Sequence, residues 1–221
     1  MTIREAERKH LDELLRSPHL YEYAREIETA LELEARKRRE FYQQISDDEK
    51  VEFINGEIVY HSPVLLRHTV ASKHLLFLLD TYVQFRNLGF VGHEKMMISL
   101  SRNDYEPDIC YFNTEKAAEF TPDQMHFPAP DFIVEILSPS TEANDRGIKF
   151  VDYAAHGVAE YWIVDPTAET VEQYRLTAES YDLVIKVKDG PIESIVISGF
   201  TIPVRAIFDD NEYWTTLRSL L

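Results

Sequence analysis

The first 45 residues place their hydrophobic positions at helical spacing. Two apolar faces recur at intervals of three and four residues, with Leu11, Leu14 and Leu15 in the first and Tyr23, Ile27, Ala30 and Leu31 in the second. The segment "SPHL" separates them, and Ser17 as N-cap with Pro18 as first helical residue would restart the helix. We therefore predict an N-terminal helical extension over residues 1–48, used for packing or dimerisation.

From about residue 50, hydrophobic and polar positions begin to alternate, which is the spacing of β-strands. "VEFINGEIVYH" is typical of a β-hairpin, because Asn55 and Gly56 suit the two positive-φ positions of a type I′ turn. A long buried helix follows, with Ser62 and Pro63 as its start signal. Strands are then predicted in series: "FVGHEKMMISL", "EPDICYF", "DFIVEIL", "EYWIVD", "TVEQYRL", "YDLVIKV" and "SIVIS".

One clear helix interrupts these strands, "DRGIKFVDYAAHG", which Gly157 closes at its C-terminal end. An amphipathic tail, "FTIPVRAIF", follows the last strand. The pattern predicts a sheet backed by helices over residues 49–221, of the α/β or α+β class, without the regular strand-helix alternation of a doubly wound fold.

Two of the predicted strands carry a single carboxylate in an apolar segment. Asp108 follows Pro107 in "EPDICYF", and Glu135 stands in the middle of "DFIVEIL". Alternation places Asp108 on one face of its strand with Cys110 and Phe112, and Glu135 on a face with Ile133 and Leu137. An isolated ionised carboxylate there would cost several kcal/mol, so each acid needs a partner or a metal ion.

Two carboxylates on neighbouring strands, with a main-chain carbonyl, form an oxygen site suited to Mg²⁺ or Mn²⁺. Such a cation can activate water and stabilise charge developing on a phosphoryl group. Lys149, on the following helix, is the candidate ammonium beside that water. It shares a stripe with Asp145, Asp152 and His156, whereas Ile148, Val151 and Ala155 form the predicted packing stripe.

Each of these residues also has a simpler interpretation. Asp108 could cap a turn, Glu135 could pair with an arginine, and Lys149 could form a surface ion pair with Asp145 or Asp152. Glu57, after the hairpin turn, is a candidate further acidic ligand. The remaining candidates are interpreted as core or surface residues: Arg67, His68, His74 and Cys110.

Composition bears on partners and location. The net charge is −16, and residues 51–221 hold 13 Lys and Arg against 26 Asp and Glu, which argues against extensive phosphate binding. One cysteine excludes an internal disulfide and favours a reducing compartment, so we expect a cytoplasmic protein. No secretory signal and no membrane span is expected from the sequence.

Several segments together resemble the Uma2 family, a bacterial group similar to the PD-(D/E)XK nuclease superfamily. They are "VEFINGEIVYHSPVLLRH", "EPDICYF", "PDFIVEILSPST", "DRGIKFVDYAAHGVAEYWIVDP" and "ISGFTIPV", over about residues 50–208. The resemblance implies a restriction-endonuclease-like mixed sheet flanked by helices. It also implies that Asp108 is the acid of the "PD" motif and Glu135 that of the "(D/E)XK" motif. Leu137 stands where that motif has lysine, and the resemblance implies that Lys149 replaces it.

Three functional hypotheses remain open. The first is a metal-dependent endonuclease that hydrolyses DNA, with Asp108 and Glu135 binding Mg²⁺, Lys149 acting on the attacking water and Glu57 assisting. The second is a non-catalytic module of nuclease fold that forms a homodimer through its N-terminal helices, which the acidic body and the displaced lysine favour. The third is a small-molecule phosphohydrolase that uses the same acids.

Overall fold

A six-stranded mixed sheet forms the centre of the computed structural model, which describes residues 3–45, 49–178 and 180–221, without the side chains of residues 3–7. The strand order is β11-β10-β9-β8-β6-β3. β8 and β9 run parallel, and the other neighbours are antiparallel. The bounds are β3 Gly89–His93, β6 Ile109–Asn113, β8 Phe132–Ile136, β9 Glu160–Asp165, β10 Thr170–Thr177 and β11 Ser180–Val187. The predicted mixed sheet flanked by helices is confirmed.

A second sheet has five strands in the order β2-β1-β5-β4-β7. Its strands are β1 Val51–Ile54, β2 Glu57–Tyr60, β4 Met97–Ser99, β5 Asp104–Tyr105 and β7 His126–Phe127. Asn55 and Gly56 have φ of 49° and 81°, which confirms the predicted hairpin turn between β1 and β2. A two-stranded sheet pairs β12 Pro191–Glu193 with β13 Thr201–Pro203.

Helices cover both faces of the central sheet. Their bounds are α1 Ile3–Leu15, α2 Leu20–Gln44, α3 Leu66–Arg86, α4 Thr114–Ala117, α5 Glu142–Asp145, α6 Ile148–Ala155 and α7 Asp210–Leu220, with a 3₁₀ turn at Val204–Ile207. On one face, α3 and α7 share a core with strand residues that include Val134 and Trp162. On the other, α6 and the five-stranded sheet pack against Cys110, Ile133 and Ile163.

The last turns of α2 pack against the five-stranded sheet. Phe41 is buried against Phe53, and the Arg38 guanidinium donates two hydrogen bonds to the buried carboxylate of Asp104. Arg102 forms an ion pair with Glu34 beside them. The C-terminal part of the helical extension is therefore joined to the sheet, and the predicted boundary at residue 48 falls outside the described residues.

Three local predictions from the sequence are wrong. α3 begins at Leu66 and not near Ser62, because Leu65 has an extended backbone and residues 62–65 lie outside the helix. "FVGHEKMMISL" is divided at Glu94, whose φ of 51° sends β3 and β4 into different sheets. "SIVIS" forms a turn whose backbone N–H groups at Ile195 and Val196 bind the buried Glu160 carboxylate. The helix α7 had no counterpart in the prediction.

In the part of the chain that the structure describes, no helix combines the length and the apolar character that crossing a bilayer requires.

Candidate active site

A cleft of about 350 Å³ opens where the β1–β2 hairpin, the start of β6, the end of β8 and the α5–α6 segment meet. Its lining is rich in charged groups of both signs. The titratable residues in its wall are Lys50, His61, His68, Glu94, Lys95, Asp108, Glu135, Asp145 and Lys149. The two acids singled out by the sequence thus meet in one cavity.

Strand register explains why Asp108 and Glu135 meet. β6 and β8 pair antiparallel with Ile109 opposite Val134, so one further step sets Asp108 opposite Glu135. Both side chains project from the sheet face that packs against α6, as alternation along each strand requires. The Asp108 carboxylate also caps the end of β8, because its Oδ2 accepts a 2.8 Å hydrogen bond from the backbone N–H of Ile136.

Asp108 is surrounded by positive and polar groups. Lys50 Nζ donates to its Oδ1 at 3.0 Å, and His68 Nε2 lies 3.3 Å from its Oδ2. Burial would raise the pKa of this carboxyl, but the His68 contact, the Lys50 charge and the Ile136 N–H together hold the pKa well below its usual range. Asp108 is therefore an anion at neutral pH.

Glu135 has a different environment in the same cleft. Its Oε1 accepts hydrogen bonds from Lys149 Nζ at 3.1 Å and from the Tyr153 hydroxyl at 3.0 Å. Burial raises the pKa of Glu135 to about 8, against the attraction of Lys149 and with further contributions from Asp145 and Asp108. Glu135 therefore keeps its proton to a higher pH than an exposed glutamate does.

Lys149 lies at the centre of three buried carboxylates. Its Nζ is 2.8 Å from Glu52 Oε1, 3.1 Å from Glu135 Oε1 and 3.2 Å from Asp145 Oδ1, and its side chain is 1% exposed. Burial alone would lower the pKa of Lys149, but the charges of Glu135, Glu52 and Asp145 outweigh burial and raise the pKa well above its usual value. Lys149 therefore remains an ammonium group across the neutral range.

The position of Lys149 corrects the predicted packing stripe of α6. Val151 is 54% exposed, whereas Lys149 and Tyr153 are buried against the sheet. The helix turns its polar stripe inward because four carboxylates, those of Glu52, Asp108, Glu135 and Asp145, occupy the space beneath it.

The predicted position of Glu57 in the site is also wrong. It pairs with Ile54 at the turn end of β2, its side chain is exposed, and it does not line the cleft. The acid that the hairpin contributes is Glu52 on β1. Its Oε1 accepts a hydrogen bond from the backbone N–H of Glu106, and its Oε2 lies 3.1 Å from His61 Nε2. The signal for Glu52 was present in the sequence, since it too is a lone acid in a buried apolar strand.

The weaker candidates divide between the cleft and other parts of the fold. His68 lines the cleft, Arg67 beside it is exposed, and His74 is buried against Tyr213 with Nε2 3.2 Å from Asp210. Cys110 is buried, and burial raises the pKa of its thiol, as expected for a small hydrophobic residue. Lys50, which contacts Asp108 directly, was not identified from the sequence.

The cleft contains carboxylates of the kind that bind Mg²⁺ or Mn²⁺. Among the described residues, no three His, Cys, Asp or Glu side chains stand together as a ready ligand cluster. Mg²⁺, however, is commonly held by one or two carboxylates, with waters and substrate phosphates completing its octahedron. Asp108 and Glu135 supply two such carboxylates, and Asp145, which pairs with Lys149 through Oδ1, is buried in the cleft wall beside them. These residues fit a divalent cation.

Comparisons with known proteins found a matching family, a similar sequence and a similar fold. The sequence profile of the Uma2 family, described as "Putative restriction endonuclease", matches residues 38–205. The chain is 26% identical to the uncharacterized protein slr1290 of Synechocystis over 166 residues, which are 72% of this chain and 84% of that protein.

The fold is similar to a crystal structure from Anabaena variabilis, described as that of "a putative nuclease belonging to DUF820". The TM-score is 0.66 with 18% identity, over 81% of this chain and 97% of the other. At that level of identity the likeness concerns the fold alone.

Proposed function

This chain belongs to the Uma2 family, and on that premise we propose that it is a metal-dependent endonuclease that hydrolyses phosphodiester bonds in DNA. One observation carries the proposal: Asp108 and Glu135 face each other across β6 and β8 in a cleft where the Lys149 ammonium lies 3.1 Å from Glu135. Two acids and a lysine converge although Leu137 occupies the usual lysine position.

Asp108 and Glu135 would hold the cation. When bound, Mg²⁺ or Mn²⁺ would supply a Lewis acid for the phosphoryl oxygens and lower the pKa of a coordinated water. Lys50 and His68 keep Asp108 ionised, and Tyr153 and Lys149 fix the orientation of Glu135 through its Oε1. Asp108 is thus ionised before a cation binds, whereas Glu135 is held in orientation and a bound cation would favour its ionised form.

Lys149 acts as a fixed positive charge and hydrogen-bond donor. Three carboxylates keep it protonated, so it does not remove a proton from the attacking water. Its three N–H groups are directed at those carboxylates, so the ammonium acts on the reaction as a fixed charge that stabilises negative charge developing on the phosphoryl group. Glu52 and Asp145 hold the ammonium in place and act as positioning residues.

The test is Mn²⁺-dependent nicking of closed circular DNA, supplied both as supercoiled duplex and as single-stranded circles. Glu135→Gln and Asp108→Asn should each lower the rate at least 100-fold, whereas Glu57→Gln, which changes an acid outside the cleft, should match the wild type. Circular dichroism checks that each variant is folded. Equal nicking by wild type and Glu135→Gln would show that the activity is a contaminant and would end the proposal.

A second candidate function is self-association through the N-terminal helices, without catalysis. The observation that favours it is a set of exposed apolar side chains on α1 and α2: Leu11, Leu14, Leu15, Tyr21, Ile27, Leu31 and Leu33. Sedimentation velocity of wild type and of Leu11→Glu/Leu15→Glu tests it. A dimer that becomes a monomer in the variant supports this function, and a wild-type monomer at tens of micromolar excludes it.

A further inference from the structure

The acids of the cleft are recessed. Asp108, Glu135 and Asp145 are 6%, 3% and 1% exposed, at the base of a cavity of about 350 Å³. A cavity of this size is at the small end of the range for single small ligands. A nucleotide of a flexible strand can bend into it, whereas the backbone of a stiff duplex is held at the rim by its second strand.

Three lysines meet in the cleft beside its acids. Lys50, Lys95 and Lys149 line it together with His68. Over residues 51–221 as a whole, 13 Lys and Arg stand against 26 Asp and Glu. Ion pairs with carboxylates already engage several of those cations, among them Arg102, Lys116, Arg146, Lys149, Lys186 and Arg205.

A protein that grips a duplex commonly neutralises about 6–10 phosphates along its surface. The excess of acids over residues 51–221 repels a long duplex instead, whereas the lysines of the cleft suffice for contacts with one or two phosphates.

The mouth of the cleft has an apolar rim, formed by residues 63–66. Pro63 and Val64 line the cleft, and Leu65 and Leu66 continue the rim with 52% and 79% of their surface exposed. Arg67 follows, also exposed. Apolar side chains next to a phosphate site suit bases whose faces are uncovered, which is the condition of unpaired nucleotides and not of stacked base pairs.

From these three observations we infer that the substrate of the cleft is unpaired DNA, with a phosphate among Lys50, Lys95 and His68 and bases against the rim of residues 63–66. The inference rests on the proposed function for the reaction, but strand binding can be measured without cleavage. It assigns substrate selection to the rim, which does not touch the cation, and to the overall excess of acids.

Fluorescence anisotropy in Ca²⁺ tests binding, with one labelled 20-nucleotide strand used alone and annealed to its complement at the same ionic strength. We expect the single strand to bind at least tenfold more tightly. Val64→Ser/Leu66→Ser should weaken single-strand binding fivefold or more. The matched control is Leu183→Ser/Val184→Ser on β11, which also replaces an exposed Leu and Val and should leave binding unchanged.

Initial cleavage rates in Mn²⁺ on the same DNAs separate the two proposals. Faster cleavage of the single strand supports both. Faster cleavage of the duplex, equal binding of both forms, or equal effects of the rim and control variants overturns the inference and leaves the endonuclease standing. Single-strand preference in binding with cleavage of neither DNA supports the inference and removes the endonuclease.

Discussion

Replacement of Lys149 by methionine should destabilise the protein strongly, because Lys149 is the shared cation of three buried carboxylates. The side chains of Glu52, Glu135 and Asp145 are 1%, 4% and 1% exposed and lie 2.8, 3.1 and 3.2 Å from Nζ. Removal of one partner from a buried ion pair costs about 3–5 kcal/mol. That is a large part of the roughly 5–15 kcal/mol by which a domain is stable.

The loss should depend on pH. Burial raises the pKa of Glu52, but Lys149 and His61 overcome burial and lower it to about 2, below its usual 4.5. The stability that this lowered pKa contributes is present above pH 4.5 and disappears as the pH falls through about 2. Lys149→Met removes much of that contribution, so its deficit relative to wild type should be largest near pH 7 and should shrink below pH 4.5.

Urea unfolding followed by circular dichroism at pH 7 and pH 3.5 measures both effects. Lys116→Met is the matched control, because Lys116 pairs with Asp131 at 2.9 Å but its side chain is 34% exposed. This replacement should lower the free energy of unfolding by less than about 1 kcal/mol. A Lys149→Met deficit no larger than that of the control, or one that is the same at both pH values, would refute the reasoning that three carboxylates depend on this ammonium.

Three further variants test contacts that stabilise the fold. Glu172→Gln should lower the free energy of unfolding in urea by about 1–2 kcal/mol at pH 7, because hydrogen bonds from the Arg146 guanidinium lower the pKa of Glu172 to about 2. This loss of stability should vanish as the pH falls from 4.5 toward 2. Arg38→Ala should lower the free energy of unfolding by about 3 kcal/mol in the same assay, whereas Arg25→Ala, at an exposed position of the same helix, should leave it almost unchanged. Equal losses would mean that the Arg38 ion pair does not anchor α2 to the five-stranded sheet. Gly89→Ala should lower stability by about 2 kcal/mol or more, because Gly89 has a φ of 141° and an added Cβ would lie 2.0 Å from a backbone oxygen. An unchanged melting temperature would contradict this.

The fold was predictable where local signals are strong. Alternation located β6, β8, β9, β10 and β11, and Asn55–Gly56 located the hairpin turn. Prediction failed where tertiary contacts override local preference. Residues 194–198 read as a strand, but the buried Glu160 carboxylate binds the backbone N–H groups of Ile195 and Val196 and the hydroxyl of Ser194, which stabilises a turn.

The site residues that stand out within a single strand or helix were predictable from the sequence. Asp108 and Glu135 stand out as lone acids in apolar runs, and Lys149 as a cation on the next helix, and the structure brings all three into one cleft. Their catalytic roles stay predictions. The hairpin residues that contact the site could not be predicted from the hairpin sequence, because they depend on which face of β1 packs over the central sheet.

That packing decides which acid of the hairpin reaches Lys149. It turns Glu52 inward, leaves Glu57 in solvent, and brings Lys50 within 3.0 Å of Asp108. Sheet-on-sheet packing joins residues more than 50 positions apart, and no periodicity in a single segment encodes it.

In the proposed mechanism, Asp108 and Glu135 share one divalent cation. Isothermal titration of Mn²⁺ into the DNA-free protein at pH 8 tests this directly, with Asp108→Asn and, as control, Glu57→Gln. We expect one site in the wild type and in Glu57→Gln, and at least tenfold weaker binding in Asp108→Asn. Identical isotherms for wild type and Asp108→Asn would contradict it.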